Sequence, residues 1–176
     1  MYIYIIFIFV KRKLTKWGLV VNTKPILVVD DNKITTKLLK RYLESHGYEV
    51  MVAHDGIECL EAVKLKKPYA IVLDVMMPRM DGYETVRNLK ANAEDALIPV
   101  VIVTALNDTA NQLKSIEAGA DDFLSKPIEE KLLVAKVRLL SNLNIAQKKV
   151  IALAAALDSA GQSSEAVLTQ AGLNVE

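Results

Sequence analysis

The sequence is poor in residues that staple a chain or ligate soft metals. One cysteine, Cys59, in 176 residues excludes an internal disulfide and any zinc site built on thiolates. Its two histidines, His46 and His54, lie eight positions apart with no third ligand in view, and neither is expected to bind metal or carry phosphate. Neither sign of charge prevails. Lys and Arg total 22 against 21 Asp and Glu, a formal net charge of +1, so the clustered positive excess needed for sequence-independent nucleic-acid binding is missing. A membrane-spanning helix needs roughly 20 apolar residues, and the uncharged run Tyr2 to Val10 has nine. Lys11, Arg12 and Lys13 follow that run instead of preceding it, the reverse of a secretory signal. A cytoplasmic location is the expectation.

What is present suits a globular domain. Apolar residues make up 52% of the chain, enough to bury a core, and the length fits one domain with extensions. Five of the ten aromatics (Tyr2, Tyr4, Phe7, Phe9, Trp17) crowd the first 17 residues. Residues 1–23 are read as a disordered head outside the fold, with a weak interfacial anchor as the alternative.

From Lys24 the pattern becomes regular. Continuously apolar runs occur at Ile26 to Val29, Val50 to Ala53, Ala70 to Leu73 and Pro99 to Val103, with a weaker one at Phe123-Leu124. Unbroken apolarity predicts strands covered on both faces, as in a parallel sheet between helices. Five helical segments alternate with them. Ile34, Leu38, Leu39, Tyr42 and Leu43 mark the first, with Asp31 or Asn32 as its cap and Gly47 as its end. Ile57, Leu60, Val63 and Lys64 mark the second, stopped before Pro68. Tyr83, Val86 and Leu89 mark the third; Leu113, Ile116 and Glu117 the fourth, closed by Gly119; Ile128 to Leu143 the fifth. Five strand–helix alternations predict an α/β doubly wound domain. Beyond it, Leu139, Leu143, Ala146, Val150, Leu153 and Leu157 advance by 4, 3, 4, 3 and 4 positions, a heptad-like seam that either packs back on the domain or receives a partner helix. Gly161 to Ser164 breaks it, and a short helix to Gly172 is expected after the break.

In open α/β sheets, reactive groups gather beyond the carboxyl ends of the strands. Here those ends carry Asp30-Asp31, Asp74, Thr104 and Lys126. Carboxylates a few ångströms apart repel by roughly 1–4 kcal/mol per pair, so three of them require cations. Lys126 is one, and an oxygen-only donor set favours Mg²⁺ as another. A metal ion, an ammonium and a hydroxyl suit the three equatorial oxygens of a phosphoryl group, and an aspartate can be its acceptor. Asp74 leaves its strand alone, whereas the adjacent Asp30 and Asp31 are better arranged to hold an ion.

The segments Leu27-Val28-Val29-Asp30-Asp31-Asn32, Leu73-Asp74-Val75-Met76-Met77-Pro78-Arg79-Met80-Asp81-Gly82, Val103-Thr104-Ala105 and Ser125-Lys126-Pro127 closely resemble those of response-regulator receiver domains of two-component signalling. The resemblance runs from about Lys24 to Asn142, and implies a flavodoxin-like parallel sheet of five strands in the order 2-1-3-4-5 with a C-terminal helical extension (143–176). It makes Asp74 the phosphoacceptor. Asp31 and Asp74 would bind Mg²⁺ directly, Asp30 through water and Met76 through its main-chain carbonyl. Thr104 would be the switch hydroxyl, Lys126 the ion partner, Phe123 the switch aromatic, and Pro127 would follow a cis peptide. Gly82 and Pro78 would shape the loop after the third strand, and Cys59 would only pack. Met76 and Leu106 fall where the family flanks the attacking water, and neither side chain orients water, so slow self-dephosphorylation is expected.

The resemblance further implies a sensor histidine kinase or histidine phosphotransfer protein as phosphoryl donor, docking near Lys33, Thr36, Lys37, Lys40 and Pro127, with a protein target downstream. The only chemistry expected is self-phosphorylation and self-dephosphorylation. No direct nucleic-acid binding is expected, and the tail offers a route to a phosphorylation-dependent homodimer. The chain is read as a single-domain regulator acting by contact; the receiver portion of a longer regulator would look the same. An aspartate-nucleophile phosphohydrolase is a weaker alternative, because dehalogenase-type enzymes place two aspartates one residue apart on the first strand, and Asp30 and Asp31 are adjacent. A phosphorylation-independent adaptor is disfavoured because all five site positions are intact.

Overall fold

The computed structural model describes residues 25–105 and 109–159. Five strands, β1 (Ile26–Val29), β2 (Val50–Ala53), β3 (Ala70–Asp74), β4 (Val100–Thr104) and β5 (Asp122–Ser125), alternate with five helices, α1 (Lys33–Ser45), α2 (Gly56–Leu65), α3 (Gly82–Ala91), α4 (Thr109–Glu117) and α5 (Glu130–Ser159). The sheet is parallel throughout, in the order β2-β1-β3-β4-β5. Expected strand positions agree within a residue or two, and α5 carries the expected helical extension. Residues 1–23, Leu106 and everything after Ser159 fall outside the described residues, as do the side chains at 109–112 and 157–159.

Period-2 alternation sends successive side chains of each strand to opposite faces, and both faces are apolar. Leu27, Val29, Ile71, Leu73, Val100 and Ile102 pack with Cys59 and Val63 of α2 and with Val86 and Leu89 of α3. Ile26, Val28, Val72, Val101 and Val103 pack on the other side with Leu39 and Leu43 of α1 and with Leu133, Val137 and Leu140 of α5. This two-sided cover explains why β1, β3 and β4 read as continuous apolar runs; the edge strand β2 departs from the expectation, with Val52 exposed and only Ala53 buried.

Helix starts are set by short polar side chains. Asn32, not Asp31, caps α1, accepting hydrogen bonds from Ile34 N at 2.9 Å and Thr35 N at 3.4 Å. Asp55 caps α2 through Glu58 N, and Asp81 caps α3 through Glu84 N. Each cap satisfies backbone donors that the helix itself leaves unpaired.

Two apolar stripes face differently from the expectation. Helix α1 buries Thr36, Leu39 and Leu43, while Ile34 and Leu38 are exposed. The line that meets the sheet passes through Thr36, which is tolerated there because its hydroxyl donates to Lys33 O at 3.1 Å. On α4, Leu113 and Ile116 are exposed and Ser115 is buried. On α5 the heptad-like positions Leu139, Leu143, Val150 and Leu153 are all exposed, so among the described residues that seam does not pack back on the domain.

Cys59 is fully buried under α2, and burial pushes its thiol up to about 12. The thiolate is the reactive species. The native protein should therefore resist a thiol reagent at mildly alkaline pH and react promptly once unfolded in urea. Rapid labelling of the folded chain would contradict this packing.

Candidate functional site

Parallel strands end at a common edge, and their alignment decides what meets there. Val29 lies beside Leu73, and Asp74 beside Val103. Asp30 therefore emerges next to Asp74, and Thr104, aligned with Ser125, emerges just before Lys126. Lys126 N donates to Thr104 O at 2.8 Å, and the peptide between Lys126 and Pro127 is cis.

Asp30, Asp31 and Asp74 each place a carboxylate oxygen within 4.8 Å of the others'. Asp30 and Asp74 are buried, whereas Asp31 faces solvent. Lys126 Nζ bridges the buried pair, 2.8 Å from Asp74 Oδ1 and 3.0 Å from Asp30 Oδ2. The outer oxygens are held by the backbone: Asn32 N donates to Asp30 Oδ1 at 2.8 Å, and Met76 N to Asp74 Oδ2 at 3.1 Å. Asp31 forms no hydrogen bond or ion pair among the described residues, leaving its oxygens open toward the cluster.

Burial raises the Asp74 carboxyl above its usual range, and the Asp30 charge adds to the rise. Lys126 and the Met76 amide oppose that rise without cancelling it. Burial alone would depress Lys126, but hydrogen bonds and charge from Asp74 and Asp30 outweigh it and lift the ammonium above its ordinary value. The ammonium stays charged, a single paired cation beside three clustered carboxyl groups. Two buried oxygens and one exposed one, with no sulfur or imidazole among them, form a donor set that fits a small hard divalent ion.

The other expected positions are distributed around this centre. Thr104 is buried at the end of β4, and Phe123 is half-buried in β5. The Met76 side chain is 74% exposed, beside the cluster but unable to hydrogen-bond water strongly. His54 Nδ1 lies 3.4 Å from Asp30 O, and His46 Nδ1 lies 2.9 Å from Tyr42 O; neither ring belongs to the carboxylate cluster. Lys33, Thr36, Lys37 and Lys40 line a groove of about 380 Å³ with Val52 and His54. Thr36 is buried at the base of that groove instead of lying on an open helix face.

Sequence reasoning missed the device that holds the loop after β3. Arg79 has a left-handed backbone, φ 66°, and Met80 N donates to Pro78 O across it at 2.7 Å, a tight three-residue turn that is strained for a non-glycine residue. Its guanidinium pairs with the buried Asp55 carboxylate and lies 3.4 Å from Glu58 Oε1. Gly56 N also donates to Met80 O at 3.3 Å. The loop carrying Met76 is thus tied to the start of α2. Opposite charges at 55 and 79 were visible in the sequence, but their meeting depends on the path of the chain.

Known proteins carry the same pattern. The family model described as response regulator receiver domain matches residues 26–138. Response regulator MprA of Mycobacterium ulcerans (strain Agy99) is 44% identical over 115 residues, covering 65% of this chain and 49% of the relative. MprA of Mycobacterium avium (strain 104) is 43% identical, with 65% and 50% covered. The chain thus spans about half the length of the curated relatives it matches. Among solved structures, the signal receiver domain of a signal transduction histidine kinase from Syntrophus aciditrophicus superposes with a TM-score of 0.64 at 37% identity, covering 68% of this chain and 90% of that one. The receiver domain of Francisella response regulator 1452 gives 0.63 at 33% identity, covering 68% and 97%. Motif, topology and similarity agree over most of the described residues, and the chain belongs to the response regulator receiver domain family.

Proposed function

We propose that this receiver domain is a phosphorylation switch of two-component signalling that takes a phosphoryl group on Asp74. The observation that carries the reading is Lys126 set between Asp74 and Asp30, with Asp31 open at the same edge. A phosphohistidine of a sensor kinase or histidine phosphotransfer protein is the donor. Its N–P bond breaks as an Asp74 carboxylate oxygen forms the new O–P bond, and the electron pair stays on the imidazole nitrogen.

Asp31, Asp74 and the Met76 carbonyl would hold Mg²⁺ directly, and Asp30 through water. The ion would neutralise negative charge gathering on the phosphoryl oxygens. Lys126 moves with that charge: its ammonium, already aimed at Asp74 Oδ1, pairs with a phosphoryl oxygen once the carboxylate is esterified. Thr104, ending the neighbouring strand, supplies a hydroxyl donor, and Phe123 repacks with it. These shifts bias the surface around α4, β5 and α5 toward a second arrangement read by a protein target. Because the chain spans about half of its curated relatives, a receiver portion of a longer regulator is the second reading, with the same chemistry.

The test is incubation with acetyl phosphate and Mg²⁺, followed by intact mass. An adduct of about 80 Da is expected, and Asp74→Ala should remove it. No adduct, or one that survives the substitution, overturns the assignment. The exposed Met76 thioether gives attacking water no strong hydrogen-bond partner, so the adduct should be long-lived and Met76→Asn should shorten its life. A half-life of seconds in the unsubstituted protein would contradict the Met76 argument while leaving Asp74 as acceptor.

A further inference from the structure

Helix α5 has two apolar faces, and the domain covers one of them. Leu133, Val137 and Leu140 are buried against the sheet, and Asn144, fully buried, donates from Nδ2 to Leu97 O. On the other side, Leu139 is 66% exposed, Leu143 50%, Val150 67% and Leu153 61%, with Ala146 exposed between them. We propose that this second face is the seam of a parallel two-stranded coiled coil with a second copy of this chain, formed whether or not Asp74 is phosphorylated.

Three observations identify the occupant. First, the period is 3.5 residues, the repeat that keeps a seam facing a supercoiling helix; a helix lying on a sheet has no use for it. Second, the composition fits a pair of identical helices. Leu139, Ala146 and Leu153 fall at d, Leu143 and the β-branched Val150 at a, a pattern suited to parallel dimers. A two-fold axis then brings each position against its own counterpart, so one seam satisfies both chains. Third, the domain leaves the helix without cover. From residue 145 to residue 156 every side chain is exposed or half-buried, and a helical stretch of this length lacks stability in water without packing. The seam has a defined start as well. One heptad before Leu143 stands Lys136, engaged with Asp122 at 2.7 and 2.6 Å. None of the seam positions belongs to the carboxylate cluster at the sheet edge, so association does not await the switch.

Sedimentation velocity on the full chain over a range of concentrations, with and without Mg²⁺ and beryllofluoride, tests this. A reversible dimer is expected in both conditions. Leu139→Glu and Leu153→Glu should each raise the dimer dissociation constant about 100-fold or more, while acetyl phosphate still labels Asp74. Ile151→Glu removes an equally exposed apolar side chain that lies off the seam and should leave the dimer intact. Leu153→Cys should form an intermolecular disulfide under mild oxidation, since Cys59 is buried and does not compete. A monomer at all concentrations overturns the proposal. So does a dimer that ignores the seam substitutions, one that Ile151→Glu disrupts equally, or one that appears only with beryllofluoride. Failure of the Leu153→Cys crosslink in a dimer that the seam substitutions break would overturn the parallel arrangement. Apart from the acetyl phosphate control, none of these outcomes depends on the assignment of Asp74.

Discussion

Lys126→Ala slows phosphorylation of Asp74 by acetyl phosphate about 100-fold or more, the range seen when one preorganised donor to developing negative charge is removed. Among the described residues, the ammonium is the one side-chain cation paired with Asp74, at 2.8 Å, and it also holds Asp30 at 3.0 Å. Without it three carboxylates share one edge with no paired side-chain cation among the described residues, at a repulsion of roughly 1–4 kcal/mol per pair. The same change has a signature in stability. Burial already lifts the Asp74 carboxyl above the ordinary carboxylate range, and Lys126 holds that rise in check. A carboxyl whose native value exceeds its unfolded value stabilises most below the unfolded value, and that stability is lost as pH rises through the native one. Urea midpoints of Lys126→Ala should therefore fall more steeply than those of the parent as pH rises through and above the ordinary carboxylate range. Parallel pH profiles with an unchanged phosphorylation rate would show that the ammonium does neither task. Lys126→Arg separates charge from shape: it should recover the pH profile better than the rate.

Gly82→Ala costs about 3 kcal/mol of stability, the upper end of ordinary overpacking, because the obstruction is backbone. A methyl at Gly82 would stand 2.9 Å from Val75 Cα and 3.1 Å from the Asp74 carbonyl carbon, and closer still to the Asp74 carbonyl oxygen. Gly82 N donates to Val75 O at 2.9 Å, so α3 begins pressed against the end of β3. Making room means moving the main chain of Asp74, the proposed phosphoacceptor. A drop in melting temperature of about 10 °C should accompany a slower reaction with acetyl phosphate. Gly56 offers the contrast. A methyl there meets Met80 Cγ at 2.6 Å, Met80 Cβ at 2.9 Å and the Thr85 hydroxyl, none of them on the Asp74 main chain, so Gly56→Ala should disturb the reaction with acetyl phosphate less. Equal stability of Gly82→Ala and the parent would mean that α3 is not seated so tightly.

Legibility in the sequence followed the strength of the physical signal. Ile26 to Val29 and Val50 to Ala53 agree with the observed strands residue for residue, because β-branched, uncharged runs between turn residues have few other uses. The edge that gathers Asp30, Asp74, Thr104 and Lys126 followed from parallel order alone. Helix orientation was harder. Ile34 and Leu38 are apolar yet point to water, and Thr36 and Ser115 are polar yet buried; the Thr36 hydroxyl, satisfied by its own helix at Lys33 O, substitutes for a methyl where space is tight. Nothing local marks that substitution. The Arg79 clamp was invisible for a different reason: a left-handed arginine is held in place by carboxylates more than 20 positions away. Such a contact exists only once the loops have been laid out.

The apolar cover on both sides of the sheet has a consequence for alignment. In a strand with one wet face, slipping by a single residue turns its oily side outward, and solvation forbids it. Here Ile71 and Leu73 enter one core and Ala70 and Val72 the other, so a slip of β3 would exchange one greasy surface for another. What resists the slip is the punctuation. Asp74 ends β3, Asp30 follows β1, and both lose their partners if drawn inward or pushed out. The acids that would perform the chemistry are thereby also the marks that tell neighbouring strands where to stop. Removing both would leave a chain better relieved of charge and worse at knowing its own alignment.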